Sequence, residues 1–348
     1  MTFKKSINNI RRRIMRAITK NIGNSYKEPK IGDLKKEAIK KVLIIRPNHR
    51  LGNQLLLTPI VQEVINTFPG CEIDLFVKGG VAHPVFENYK EVKNIIQLPK
   101  KPFNDLLKYA KSWISIKYKT YDLVINGDKD SSSGRLLTQL SKATFKVFGD
   151  VSEDIQNLYP DSKHISKYPI YNLRYFLMKL GFPKNESPLP VLDIKLSADE
   201  IKKGKNLLND IVKNDKKTIC IYTNATGAKC YSEDWWTILY NKLLEVYPQY
   251  NIIEMLPIEN ISKINFKATH FYSQDIREMG AIIHSTSIFI AADNGVMHLA
   301  SASLTPCVGF FSVTNPAVYA PYGHGSVALN TYETSLNDWM LTIKNILG

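Results

Sequence analysis

Residues 287–303, SIFIAADNGVMHLASAS, constrain the fold more than any other stretch of this 348-residue chain. The segment 287–292 is a short apolar run of strand type. Asp293-Asn294-Gly295 is turn chemistry, and 296–303 has the small and apolar residues of a buried helix. Strand, tight turn and helix in that order is how open α/β sheets hold phosphates. The first amides of a helix have no intrahelical acceptor, and the helix dipole adds partial positive charge there. Gly295 lets the backbone approach a ligand closely. Residues 306–312 read as the next buried strand, with Thr314-Asn315-Pro316 at its carboxyl end, the edge where ligands sit in such folds.

The same alternation runs through most of the chain. Strands are expected at 42–46, 72–77, 94–98, 121–126 and 145–148, and helices at 54–68, 81–88, 104–118, 132–141 and 168–180. Residues 181–190 contain three prolines and read as a linker. A second series follows, with strands at 218–222, 251–255, 269–272 and 327–330 beside the two already named. Its helices are at 197–212, 232–247, 276–284 and 336–347. Ser197 with Glu200 three residues later is a capping box. Strands alternating with helices imply βαβ units and mainly parallel sheets. The expected division is a basic arm and linker at 1–40, an α/β domain at 41–190 and a second α/β domain at 191–348.

Charge is unevenly placed. The chain carries a net +14, yet residues 1–41 hold 13 Lys or Arg against 3 Asp or Glu. The folded body is close to neutral, which argues against a nucleic-acid binder. Within the arm, Phe3, Ile7, Ile10, Ile14 and Ile18 form one helical stripe. Lys4, Lys5, Arg11, Arg12, Arg13, Arg16 and Lys20 fill the other faces. A basic amphipathic helix suits an anionic membrane surface, where each basic residue contributes about 1 kcal/mol. It also suits a helix packed on the body or a solvated tail. No apolar run reaches the roughly 18 residues of a membrane span, and no secretory signal is recognisable. The four cysteines form no CxxC pair and read as buried thiols in a reducing cytoplasm.

Three loops carry candidate chemistry. After the 287–292 strand, His298 lies on the first turn of the helix, within reach of whatever the amides bind. Asp293 would repel a diphosphate directly, so it is expected to brace the loop or pair with a lysine. The same residues suit a plain strand–helix turn with a core histidine. After the 218–222 strand, TNATGAK offers the hydroxyls of Thr223 and Thr226, a flexible Gly227 and the cation Lys229, parts suited to neutralising a phosphate leaving group. The spacing is not that of a P-loop, and an ordinary exposed loop fits equally. After the 42–46 strand, Arg46, His49 and Arg50 make a cationic loop with Gly52 and Asn53 at the start of the next helix. Asp128-Lys129-Asp130 has the outline of a metal-holding DxD but reads better as a loop, so no metal and no cofactor are expected.

Together these segments resemble the heptosyltransferases, glycosyltransferase family 9. The matching residues are Arg46, Leu51-Gly52-Asn53 and Thr58-Pro59, then Lys229 and the aromatic-rich 231–236. They continue with Asp293-Asn294-Gly295, His298-Leu299-Ala300, Pro306-Cys307-Val308 and Pro321-Tyr322-Gly323. The resemblance implies a GT-B fold of two Rossmann-like domains facing a central cleft, with the acceptor on the first and the nucleotide-sugar on the second. It implies inverting, metal-independent transfer of a heptose or similar sugar from an ADP-heptose-like donor. The acceptor would be a lipopolysaccharide-core or other lipid-linked saccharide, at the cytoplasmic face of the inner membrane. Lys229 then steadies the departing diphosphate, with Thr223, Thr226, Asp293, Asn294, Gly295 and His298 on the donor side. Arg46, Arg50 and Gly52 stand on the acceptor side.

One departure bears on mechanism. The family usually has an acid directly after Leu-Gly, taken as the general base, and here the residue is Asn53. An amide has no proton that titrates near neutral pH. Asn53 then positions the acceptor while His49 takes the proton, or Asp128 or Asp130 supplies the base, or turnover is weak. A transferase for a different surface polysaccharide and a nucleotide-sugar-binding protein remain the alternatives.

Overall fold

A computed structural model of the chain describes residues 29–99, 114–116, 118–128, 131–150 and 152–348. The amphipathic stripe of the arm, most of the 104–118 helix and Asp130 lie outside these residues.

Strands β1 (Lys41–Arg46), β2 (Glu72–Lys78), β3 (Val92–Leu98), β4 (Thr120–Asn126) and β5 (Lys142–Val147) form one parallel sheet in the order β3-β2-β1-β4-β5. Strands β6 (Thr218–Tyr222), β7 (Asn251–Met255), β8 (Thr269–Phe271), β9 (Ile288–Ala292), β10 (Cys307–Phe311) and β11 (Val327–Asn330) form a second, also parallel, in the order β11-β10-β9-β6-β7-β8. The helices are α1 (Leu51–Leu55), α2 (Thr58–Thr67), α3 (Ala82–Phe86), α4 (Ser132–Leu140), α5 (Glu153–Leu158), α6 (Tyr168–Lys179), α7 (Ala198–Val212), α8 (Glu233–Val246), α9 (Ile276–His284), α10 (Gly295–Ala302), α11 (Pro316–Tyr319) and α12 (Leu336–Leu347).

The central strands are mainly apolar along their length, as in KVLIIR, TICIY, IFIAA and CVGFF, the pattern of parallel strands covered on both faces. Every residue of β6, β9 and β10 is buried. The second sheet packs on Trp236, Leu239 and Leu243 of α8 and on Trp339, Met340 and Ile343 of α12. Leu43, Ile45, Phe76 and Val124 centre the first. In each sheet the first strand in sequence has its next two partners on opposite sides: β2 and β4 beside β1, β7 and β9 beside β6. The point where the direction of winding reverses leaves a crevice at the carboxyl ends, the place where such sheets bind ligands. The loops after β6 and β9 flank the crevice of the second sheet. Those after β1 and β4 flank the crevice of the first.

The chain divides into two compact units. One comprises the chain to His49, Ile60–Gly80 and Lys90–Pro190. The other comprises Arg50–Pro59, Val81–Tyr89 and Val191–Gly348. Two early segments therefore pack with the later half of the chain, and polar clamps explain one of them. Buried Arg277 on α9 donates to Pro84 O (2.8 Å) and Ile194 O (3.1 Å) and grips Glu200 of α7 through Nε and Nη2. Arg277 holds the Glu200 carboxyl down to about 2. Asn88 Nδ2 donates to Lys195 O (2.7 Å), and Tyr89 Oη donates to Asp193 O (2.7 Å).

The helix expected at 54–68 is two helices. Pro59 has no amide to give Leu55 O, and its ring crowds that carbonyl. The Thr58 hydroxyl donates to Leu55 O instead (2.8 Å), and α2 starts afresh with Pro59 in its first turn. Two short helices, α5 and α11, stand where none was expected. Each opens on a capping side chain, Ser152 and Asn315, but is too short to show an apolar stripe.

In the first unit, Arg174 of α6 is paired with Glu63 of α2. Nε and Nη2 reach the two carboxylate oxygens at 2.7 and 2.9 Å, and Nη1 donates to Ser187 O (2.8 Å) in the proline-rich stretch. Both side chains are 4% exposed, so the pair is desolvated. Arg174→Met, which leaves Glu63 charged and buried, should cost about 3–5 kcal/mol. Glu63→Leu/Arg174→Met should recover part of that. Thermal unfolding of the three proteins checks this, and equal losses in single and double variants would show that the pairing is not the cause.

Candidate donor-side site

The second unit gathers the loops after β6 and β9. The β9 loop is held by its own side chains. Asn294 is the N-cap of α10, and its Oδ1 accepts from Val296 N and Met297 N at 2.8 Å each. Its Nδ2 donates to Asn224 O (3.0 Å) in the β6 loop. One amide side chain thus starts the helix and fastens the two loops together. It also takes two of the first-turn amides that the sequence pattern left open to a ligand; the amide of Gly295 is not among them.

Asp293 is 5% exposed. Its Oδ2 meets Lys229 Nζ at 3.1 Å and also accepts from the Thr314 hydroxyl. Lys229 reaches it from a single 3-10 turn, Gly227–Lys229. Gly227 has φ +65°, a conformation glycine adopts without strain. Just beyond, the Tyr231 ring stacks on Trp235 at 4.1 Å, and its hydroxyl meets Thr331 Oγ1 at 3.0 Å. The Lys229 side chain is 25% exposed, so the cation lies at the surface with a buried counter-ion beneath it. An arriving anion competes with one carboxylate for a lysine already in place.

The expected residues fall into two groups. Lys229, Asp293, Asn294 and Gly295 are together in the second unit, and Thr226 is exposed on the same loop. Thr223 faces inward, contrary to a donor-binding role. It is 1% exposed, its hydroxyl donates to Glu254 Oε1 (2.6 Å) and accepts from Lys263 N (3.0 Å). Both capacities hold the loop to the core.

Arg46 also differs from expectation. It is fully buried at the end of β1, and Nη1 donates to Gly127 O (3.2 Å), so its guanidinium joins backbone of the first unit rather than meeting an acceptor. His49 and Arg50 are exposed in the loop that follows. Gly52 is buried in the second unit. A Cβ there would lie 3.0 Å from His298 Cδ2 and 3.3 Å from Gly295 Cα, so its missing side chain serves the contact of α1 with α10. Asn53 is half-buried on the same helix, and His298 is 3% exposed beneath Gly52.

Sequence reasoning missed Glu254. It is fully buried at the end of β7, accepts from Thr223 and from Ser262 Oγ (2.7 Å), and burial pushes its carboxyl up. An acid inside the apolar run Asn251–Met255 was the available signal. Thr314, placed by the sequence only at the carboxyl end of the 306–312 strand, supplies the second hydrogen bond to Asp293.

Asn294→Ala should lose about 0.5–2 kcal/mol as a lost cap and release the β6 loop. Asn294→Asp keeps the acceptor but not the donor to Asn224. Melting temperatures should therefore fall in the order wild type, Asp, Ala. Equal values for Asp and wild type would show that the Asn224 link carries no stability.

Residues 109–338 match glycosyltransferase family 9 (heptosyltransferase). The chain is 22% identical over 314 residues to the lipopolysaccharide core heptosyltransferase OpsX of Haemophilus influenzae, across 85% of this chain and 86% of that protein. It is similar in fold to the family 9 glycosyl transferase of Veillonella parvula, with TM-score 0.71, 14% identity and coverage of 90% of this chain and 98% of that one. The E. coli heptosyltransferase WaaC, solved with ADP, gives TM-score 0.63 and 16% identity over 88% and 99% of the two chains. The two parallel-sheet, Rossmann-like units are those of the GT-B class. The chain belongs to glycosyltransferase family 9, the heptosyltransferases, and is a glycosyltransferase.

Proposed function

We propose that the protein transfers a heptose or similar sugar from a nucleoside-diphosphate donor, ADP-heptose by analogy with its relatives, to a lipopolysaccharide-core saccharide. The observation that carries this reading is the Lys229–Asp293 pair at the crevice between the β6 and β9 loops. A cation held at a switch point, by a carboxylate on the loop that leads into α10, is suited to the charge that grows on a departing diphosphate.

The chemistry is a single displacement with inversion and without a metal. An acceptor hydroxyl oxygen bonds to the anomeric carbon as the bond from that carbon to the phosphate oxygen breaks. The electron pair leaves on the nucleoside diphosphate, where Lys229 exchanges part of its contact with Asp293 for the phosphate. Asp293, also held by Thr314, keeps the lysine aimed. Asn294 fixes the loop, and the exposed Thr226 on the β6 loop contributes its hydroxyl to the diphosphate. The hydroxyl proton goes to His49, since Asn53 has no basic atom to receive it; Asn53 and Arg50 orient the acceptor.

Location follows from the same reading. The basic residues of 1–41 attach the enzyme to anionic lipid at the cytoplasmic face of the inner membrane, where the acceptor is anchored. Among the described residues no helix is long and apolar enough to cross a membrane.

Asn53 favours one second reading, a nucleotide-sugar-binding protein with little turnover. Two measurements separate them. ADP at 100 times its Kd should add about 2.7 kcal/mol of stability, more than GDP, UDP or CDP at equal concentration in a thermal-shift series. In a transfer assay, Lys229→Ala should lower kcat by about 10²–10³, and His49→Ala by about 10²–10⁴, with ADP affinity kept in the latter. Wild-type protein that binds ADP-heptose and never transfers it leaves only the binding reading.

A further inference from the structure

The carboxyl ends of β10 and β11 border an open hollow of about 560 Å³, within the roughly 300–1,000 Å³ of small-molecule sites. Its polar wall is Ser312, Thr314, Asn315, Asn330, Tyr332 and Glu333. It adjoins the pair described above, because Thr314, which lines it, donates its hydroxyl to Asp293 Oδ2, the atom that holds Lys229. The hollow lies on the β10 side of the switch point, away from β7 and the buried Glu254 network.

The chemistry of this wall is selective. It contains no lysine, arginine or histidine and one carboxylate, Glu333. A phosphate finds no counter-charge there. Asn315 Oδ1 accepts from Ala317 N (2.9 Å), and Asn330 Oδ1 accepts from Tyr332 N (3.1 Å). Each Oδ1 thus accepts from its own backbone, and the amide nitrogen of each side chain is a donor not used in that bond. Tyr332 is 82% exposed, an aromatic face with a polar tip at the rim. Amide donors, a hydroxyl, a carboxylate able to accept from two neighbouring hydroxyls and an open aromatic face together fit a neutral polyhydroxylated ring.

We propose that this hollow is a saccharide subsite, which takes a sugar ring while Lys229 takes the adjoining diphosphate. The inference rests on the reading of the preceding subsection. The ring belongs either to the donor sugar or to the terminal residue of the acceptor, and the two sources give different results.

The test uses the full chain and the variants Tyr332→Ala and Glu333→Gln, whose side chains are exposed. ADP and ADP-heptose are titrated calorimetrically, and KM is measured for a lipopolysaccharide-core saccharide. ADP affinity should stay within twofold of wild type. A donor ring in the hollow raises the Kd of ADP-heptose at least fivefold. An acceptor ring raises the acceptor KM at least fivefold and leaves ADP-heptose unchanged. The proposal is overturned if neither quantity moves, or if ADP itself weakens as much as ADP-heptose, which would make the hollow a nucleoside site. Wild type that neither binds ADP nor transfers sugar removes the preceding reading and this one with it. Wild type that transfers while both variants match it removes the subsite alone.

Discussion

The side chain of Asn294 is the constraint on which the donor-side site depends. Helix α10 begins at the crevice of the second sheet, and its first amides need acceptors. A ligand could supply them, but Asn294 does so permanently, and its other atom ties the β6 loop in place. The loops that carry Lys229 and Asp293 are thereby fixed relative to each other before anything binds. Preorganisation of this kind matters most where charge develops during a reaction, since donors already in position do not have to be reoriented.

The electrostatics follow the same logic of pairing in advance. Lys229 at the surface sits over Asp293 almost out of solvent, and Thr314 shares the carboxylate. Asp293 is the shared member: removing it takes the partner from both Lys229 and Thr314, whereas removing either of those leaves the carboxylate the other. The buried carboxyl of Glu254 performs a related task one strand over. It draws Thr223 and Ser262 inward and so sets the base of the loop whose tip carries the lysine. The chain places one acid beneath the cation and another beneath the hinge of its loop.

Much of this was legible in the sequence. The mainly apolar runs at 42–46, 218–222, 287–292 and 306–312, set between helical segments, read as buried strands of parallel sheets, and the sheets are parallel. The capping box at Ser197 and Glu200 appears as expected. The pairing of Asp293 with a lysine could be argued from charge alone. What periodicity could not reveal was direction. Arg46 ends β1 and Thr223 directly follows β6, both at a ligand-binding edge, and only the path of the backbone there decides that their polar atoms turn inward. Nor could spacing show that Arg50–Pro59 and Val81–Tyr89 pack with residues more than a hundred positions later. That depends on partners such as Arg277 and on the absence of side chains at Gly52 and Gly295.

The last point bears on how this polypeptide can be divided. Because two early excursions belong to the later unit, the backbone passes between the units five times rather than once. Cutting at the proline-rich stretch near 190 would strip the later half of the residues that cover His298 and of the carbonyl that Arg277 grips. The two halves are interleaved along the chain, and each is completed only when the whole polypeptide is present.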